Sequence, residues 1–259
     1  MLALFIQITS AKVTWADADD WEELKGDHFI VYYQGDDDFP GKVLRKAEDY
    51  YDQISADLGY QRYSNFWQWE NRVKIYIYPT REEFMVKARQ PEWSNGVASY
   101  TDKEIRSYLW GEGFLESLLP HEITHLIFRD YVGFKGEVPL WLDEGVAQWE
   151  EPMVRTVVKQ TMKDVLLAGK AYPVAKLTKM DIRGEQQDTG TVSVFYIQAA
   201  SIVHFLVNRF GADDFTTFCR QLRDGKSLDE ALRFSYPTSM RDLNELEEKW
   251  KKFILEDSP

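Results

Sequence analysis

Hydrophobic and polar positions alternate with two different periods in the first half of the chain. Short β-branched and aromatic runs at residues 28–33, 72–78, 97–100 and 104–110 predict strands. Between Lys42 and Leu58 the apolar residues recur at helical spacing, which predicts an amphipathic helix. We therefore expect a small mixed sheet with helices packed against it.

The second half of the chain carries long apolar segments with helical periodicity. The predicted helices cover residues 154–168, 192–210, 213–222, 228–234 and 240–255. The pattern predicts an α+β protein, with no internal repeat, low-complexity tract or flexible linker between its halves. We expect residues 21–259 to form one domain, with an α/β lobe at 21–117 and a helical lobe at 118–259.

Residues 1–20 form a separate N-terminal segment. Its apolar run, Leu2 to Ile8, is too short to span a bilayer. The run and the small residues that follow are typical of the end of a secretory signal, although the basic start is missing. The segment is either a remnant of a signal peptide or an N-terminal extension. We expect a periplasmic or secreted location, with a cytoplasmic location as the alternative.

The composition limits the kinds of molecule that the protein is expected to bind. A formal net charge of −12 disfavours nucleic acid, because phosphate binding requires a basic surface. No polybasic patch and no other apolar segment favours stable membrane insertion. The single Cys219 excludes an internal disulfide. Nothing in the sequence indicates an oligomeric state.

The stretch with the clearest chemistry is His121-Glu122-Ile123-Thr124-His125. Two histidines four residues apart on a helix project from one face, and neutral imidazoles are good zinc ligands. Glu122 lies beside that face, close enough to act on a zinc-activated water without being a ligand. Pro120 precedes the motif directly and predicts an irregular start or a kink in this helix.

A catalytic zinc ion needs a third protein ligand, and the spacing nominates Glu144. Eighteen residues separate it from His125, and breakers such as Gly133 and Pro139 let the chain turn back. Pro139 is well placed to open a second helix, with Glu144 in its first turn. Gly145 has no side chain and would let this helix approach the first one closely.

The sequence HEITH…PLWLDEGVAQW resembles the gluzincin metallopeptidases, the clan of thermolysin and the aminopeptidases, and within it the bacterial peptidase MA-like domains. The resemblance implies a zincin-like fold with an active-site cleft between the sheet-containing lobe and the helical lobe. It implies His121, His125 and Glu144 as ligands of one catalytic Zn²⁺, with Glu122 as general base and a polypeptide as substrate. No exopeptidase motif is present, which favours an endopeptidase-like site.

The resemblance also suggests supporting residues. Tyr196 is a candidate donor to the oxyanion, with a core aromatic as the alternative, and His204 is a weaker candidate. The spacing, rather than the resemblance, makes Gln148 and Asp143 candidate partners for the second nitrogens of the zinc-binding histidines, which usually donate their other N–H to an acceptor. Gln148 lies one helical turn beyond Glu144, and Asp143 could instead cap its helix.

A substrate-binding strand is suggested as well. In this family an edge strand pairs with the extended substrate. The candidate here consists of Val97, Ala98, Ser99 and Tyr100, with an ordinary strand and turn as the alternative.

Two other functions fit the same residues. A non-catalytic zincin-like module would keep the fold, and even the metal, while serving in binding or assembly. A zinc hydrolase that acts on something other than a peptide bond would share all of these groups. The retained Glu122 favours catalysis over the first alternative.

Overall fold

The computed structural model describes residues 21–35, 38–59, 67–90, 94–133, 138–182 and 188–256. The prediction of an export signal falls on residues 1–20 and so lies outside the described residues. These residues fall into two compact units, one within 1–53 and 63–126 and the other within 54–62 and 127–259. Two of the boundaries fall inside helices, at 53/54 within Phe39–Asp57 and at 126/127 within Leu119–Val132.

A five-stranded sheet forms the centre of the first unit. Its strands are β1 (Glu22–Lys25), β2 (Phe29–Tyr33), β3 (Val73–Tyr78), β4 (Gly96–Ser99) and β5 (Glu104–Tyr108). Their order is β1-β2-β3-β5-β4, with β2, β3 and β5 parallel and the two outer strands antiparallel to their neighbours. The predicted mixed sheet is therefore confirmed.

Strand β1 was not predicted, because its sequence EELK is polar and has no apolar alternation. It forms at the sheet edge, where pairing with β2 supplies its hydrogen bonds and both of its terminal residues stay exposed. Helix α1 (Phe39–Asp57) lies close to β2. Tyr51 meets Phe29 edge-on with ring centroids 6.3 Å apart, and Glu48 accepts hydrogen bonds from the backbone of β2 and from its preceding residue.

Helix α2 (Arg81–Lys87) follows β3 after a tight cap. The Thr80 side chain accepts a hydrogen bond from the Glu83 backbone N–H at 3.2 Å, as the sequence predicts for an N-cap. Phe84 packs with Tyr78 and Ala88 in a small buried cluster. This cluster covers part of the sheet through residues of β3 and α2.

The remainder of the described chain is helical. The helices are α3 (Leu119–Val132), α4 (Leu140–Glu150), α5 (Pro152–Leu167), α6 (Val174–Leu177), α7 (Thr189–Phe210), α8 (Ala212–Arg223), α9 (Leu228–Ser235) and α10 (Leu243–Leu255). Helix α10 begins three residues later than predicted, because Asp242 caps it by accepting from two backbone N–H groups. The short α6 lies between the helices predicted at 154–168 and 192–210, where no helix was predicted.

Helix α7 is the long apolar helix of the second unit. It is the one described helix long and apolar enough to cross a membrane by length and composition alone, and 56% of its apolar window is already buried within the protein. Helix α4 packs along it. A Cβ added to Gly145 would lie 2.7 Å from the Ala199 carbonyl oxygen, so the glycine permits a close approach. That approach is to α7, whereas the sequence predicted an approach to the helix of the two histidines.

Candidate metal centre

The helix that carries the histidines starts irregularly, as predicted. A π-helical turn at Phe114–Leu118 leads directly into α3, and Pro120 lies in the first turn of α3. Pro120 has no backbone N–H to donate, and it follows a π turn, where the regular α-helical hydrogen-bond pattern is already interrupted. Glu116 in the π turn accepts from Lys46 Nζ at 2.7 Å and from the Tyr50 hydroxyl at 3.3 Å, so two residues of α1 hold this start in place.

His121 and His125 come together as the four-residue spacing predicts. Their Nε2 atoms lie 3.0 Å apart, and both residues are buried with 2% exposure. Two nitrogen ligands about 2.0–2.1 Å from a tetrahedral zinc ion would lie about 3.3 Å from each other. The spacing of the two imidazoles therefore fits two ligands of one ion.

Glu144 completes the group. Each of His121, His125 and Glu144 offers one ligand atom, and these atoms all lie within 4.8 Å of one another. All three residues are buried. Glu144 is the fifth residue of α4, so it lies just past the predicted first turn. Two neutral nitrogens and one carboxylate oxygen are a donor set that suits zinc, which supports the predicted metal.

Asp143 precedes the candidate ligand Glu144 and pairs with Arg129, a residue not predicted from the sequence. Both of its carboxylate oxygens accept from Arg129, from Nε at 3.1 Å and from Nη2 in a shorter contact. Arg129 lies one helical turn beyond His125 on the same face of α3, which is the signal that could have found it. The pair joins the C-terminal half of α3 to α4.

Three other predicted site residues, Glu122, Gln148 and Tyr196, differ in burial and in hydrogen-bond partners. Glu122 is buried next to the first histidine, with 1% exposure. Gln148 donates its side-chain amide to Glu151 at 2.5 Å. Tyr196 lies half-buried on α7, edge-on to the Phe195 ring. The catalytic role of Tyr196 and the roles of Gln148 and Asp143 as histidine partners remain predictions.

His204 accepts a hydrogen bond from helix α4. Its Nδ1 atom lies 3.2 Å from the Trp149 indole nitrogen, which donates to it. Burial, together with the charges of Lys159 and Arg155, lowers the pKa of His204 to about 4. The imidazole is therefore neutral near pH 7 and acts as an acceptor for α4.

The predicted substrate strand lies at the edge of the sheet. Val97, Ala98 and Ser99 belong to β4, which among the described strands pairs only with β5, and Tyr100 begins the following turn. An outer strand has backbone N–H and C=O groups that a further strand can use. The position is suitable for strand addition, and the substrate role remains a prediction.

The C-terminal end of α4 contains a buried ionic cluster. Glu150 is fully buried and accepts from Arg155 Nη2 at 2.5 Å, while its second oxygen has no hydrogen-bond partner among the described residues. Arg155 also donates to Asp57 at 2.6 Å and stacks 4.2 Å over the Trp149 ring. Burial raises the pKa of Glu150 to about 8, against the opposing effect of Arg155.

With this geometry established, the comparison with known families is decisive. Residues 64–256 match the sequence profile of the Peptidase MA superfamily. The chain belongs to the Peptidase MA superfamily. The match includes the histidine pair, Glu144 and all of the helices from α3 onwards, so the family expected from HEITH…WLDEG is confirmed.

Comparisons outside the family profile are less informative. A crystal structure of an M1 zinc metallopeptidase from Deinococcus radiodurans is similar at 15% identity, over 93% of this chain and 52% of that chain, with a TM-score of 0.43. The chain thus spans about half the length of that enzyme, and a likeness at this level says nothing about activity. No curated protein sequence matches the chain.

Proposed function

We propose that this member of the Peptidase MA superfamily is a zinc-dependent peptidase that cleaves peptide bonds within polypeptides. One observation carries the proposal: ligand atoms of His121, His125 and Glu144 come within 4.8 Å of one another at a buried position. The donor set suits zinc, and Glu122 lies within the same motif. The absence of an exopeptidase motif supports endopeptidase-like cleavage over removal of terminal residues.

The residues of the chain have separate tasks in this proposal. His121, His125 and Glu144 hold the metal, which when bound would polarise the scissile carbonyl and make a water molecule acidic enough to attack near neutral pH. Glu122 accepts the proton of the attacking water and donates it to the leaving amine nitrogen as the C–N bond breaks. Its low exposure keeps the carboxylate away from bulk water during this transfer.

Two further assignments concern the substrate. Backbone groups of β4, from Val97 to Ser99, would hydrogen-bond an extended peptide at the free edge of the sheet. The Tyr196 hydroxyl would donate to the oxygen that becomes negative in the transition state. Replacing Tyr196 by Phe would then lower kcat with little change in KM, whereas a purely structural tyrosine would change stability instead.

The test uses purified protein with one equivalent of zinc and an unfolded polypeptide whose ends are blocked. The wild type should cleave it at internal bonds. Glu122→Gln should keep the metal and lose about 10²–10⁴-fold in rate, because proton transfer by a positioned side chain contributes that much. Glu112→Gln, the same change at an exposed glutamate, is the matched control and should be fully active.

Metal analysis on a ligand variant completes the test. His121→Ala should lose both zinc and cleavage. Full activity in a zinc-free His121→Ala protein would contradict the proposed site. Zinc binding without cleavage in the wild type, unchanged in Glu122→Gln, would instead identify a non-catalytic binding module.

A further inference from the structure

A second recess lies in the helical unit, at residues that the metal centre does not use. Its volume is about 190 Å³, and it is formed by the end of α7 and one face of α10. Phe205, Phe210 and Phe253 supply aromatic walls, with ring centroids 5.5 Å and 5.4 Å from Phe205 to the other two. Phe210 and Phe253 remain partly exposed to solvent.

The rim of this recess has the opposite charge from the protein as a whole. Arg209, Lys249 and Lys252 line it, against one carboxylate, Glu256. Among the described residues none of these three cations forms an ion pair or a side-chain hydrogen bond. A chain with a net charge of −12 thus places three such cations around one aromatic recess. Charge complementarity favours an anion here.

The aromatic walls and the volume of the recess indicate the size and the apolar part of an anion that would fit there. Water occupies about 30 Å³ per molecule in the liquid, so the recess offers the room of about six waters. Such a space fits a small acid of roughly ten non-hydrogen atoms whose apolar part lies between phenylalanine rings. We propose that this recess binds a small organic carboxylate that carries an aromatic or aliphatic group.

Binding of such an anion depends on both parts of the recess. The ammonium groups of Lys249 and Lys252 are one helical turn apart on α10 and can reach one carboxylate together. Arg209, at the end of α7, can approach it from the other helix and offers a planar fork suited to a carboxylate. The aromatic walls remove the apolar body from water, so neither charge nor apolar group alone is enough.

The experiment titrates the full chain with phenylacetate and follows binding by calorimetry. Phenylacetamide has the same ring without the charge, and acetate has the same charge without the ring. Each should bind at least about tenfold more weakly than phenylacetate, since each lacks one of the two interactions. Hexanoate tests whether the recess binds a carboxylate with an aliphatic group. N-acetylphenylalanine tests whether it binds the C-terminal carboxylate of a peptide.

Variants locate the binding. Lys249→Gln and Lys252→Gln should each weaken phenylacetate binding about three- to tenfold, as expected for the loss of a charge-assisted contact. Lys170→Gln removes the same charge at an exposed lysine outside the recess and should change nothing. Circular dichroism checks that the variants fold, and Arg209→Gln repeats the test on the other helix.

Three results would overturn the proposal. They are no binding of any of these carboxylates, equal binding of phenylacetamide, and equal weakening by Lys170→Gln. None of them bears on the metal centre, because the recess shares no residue with it.

Discussion

The glycine that follows the third predicted ligand makes a sharp test of how α4 is positioned. In Gly145→Ala the new Cβ would lie 2.7 Å from the Ala199 carbonyl oxygen and 2.8 Å from its carbonyl carbon. Cβ contacts below 3.0 Å essentially never occur and ordinary contacts begin at 3.4 Å, so α4 must move away from the Ala199 backbone by about 0.3–0.7 Å. The obstacle is backbone, which cannot rotate away as a side chain would. Glu144 would move with its helix.

The expected change in the free energy of unfolding is the sum of two opposing contributions. Overpacking of a well-filled core costs about 1–3 kcal/mol, and a backbone obstacle favours the upper part of that range. Alanine in place of glycine inside a helix returns about 1 kcal/mol. We expect Gly145→Ala to lower the free energy of unfolding by about 1–2 kcal/mol. Displacement of Glu144 should weaken zinc binding about 10-fold, the lower end of what disturbed ligand support costs.

The assays are urea unfolding followed by circular dichroism and zinc competition against a coloured chelator. Gly41→Ala is the matched control, because its Cβ in α1 would meet nothing closer than the end of Arg45 at 3.6 Å. That variant should be as stable as the wild type or up to about 1 kcal/mol more stable. A Gly145→Ala protein that matches this control would refute the packing argument. Lowered stability with unchanged zinc affinity would refute the argument that the position of α4 sets the position of Glu144.

Two further predictions concern buried charges. Asp143→Leu should cost about 1.5–3 kcal/mol of unfolding free energy because it removes two charge-assisted hydrogen bonds from Arg129. In a double-mutant cycle the variant that also carries Arg129→Leu should lose less than the sum of the two single losses, and additive losses would contradict a direct pair. Glu150 holds its proton in the folded protein up to a pKa of about 8, well above its value when unfolded. Its contribution to stability is therefore present at low pH and lost as pH rises from about 4.5 to about 8. Glu150→Gln should flatten the unfolding free energy across that window, and an unchanged pH profile would show that Glu150 ionises normally.

Much of the fold and the ligand set could be predicted from the sequence. Helices α1, α5 and α7 have apolar periodicity long enough to identify them. The β-branched and aromatic runs that form β3 and β5 are equally clear. The histidine pair was predictable because a four-residue spacing on a helix brings two side chains together whatever the tertiary structure. Strand β1 and helix α6 were missed because four polar or mixed residues carry no period.

Other features depended on contacts between segments far apart in the chain. Arg129 and Asp143 are fourteen residues apart, and only the approach of α4 to α3 brings the partly exposed arginine onto the buried aspartate. The partner of Gly145 proved to be α7, because a missing side chain predicts close approach without naming the neighbour. The pKa of Glu150 likewise follows from full burial beside a single arginine, which its sequence neighbours do not indicate.

The sequence by itself determined the two imidazoles, the glutamate between them and the family, because these depend on residue type and on spacing within one helix. Only the tertiary structure decided that the Glu144 carboxylate comes within 4.8 Å of both histidines, since that requires the chain to turn back between α3 and α4. It also decided which cations gather around the aromatic recess, where α7 and α10 meet after more than thirty intervening residues. Local periodicity predicts helices and strands, whereas the partners and the pKa values of their side chains depend on burial and on long-range contacts.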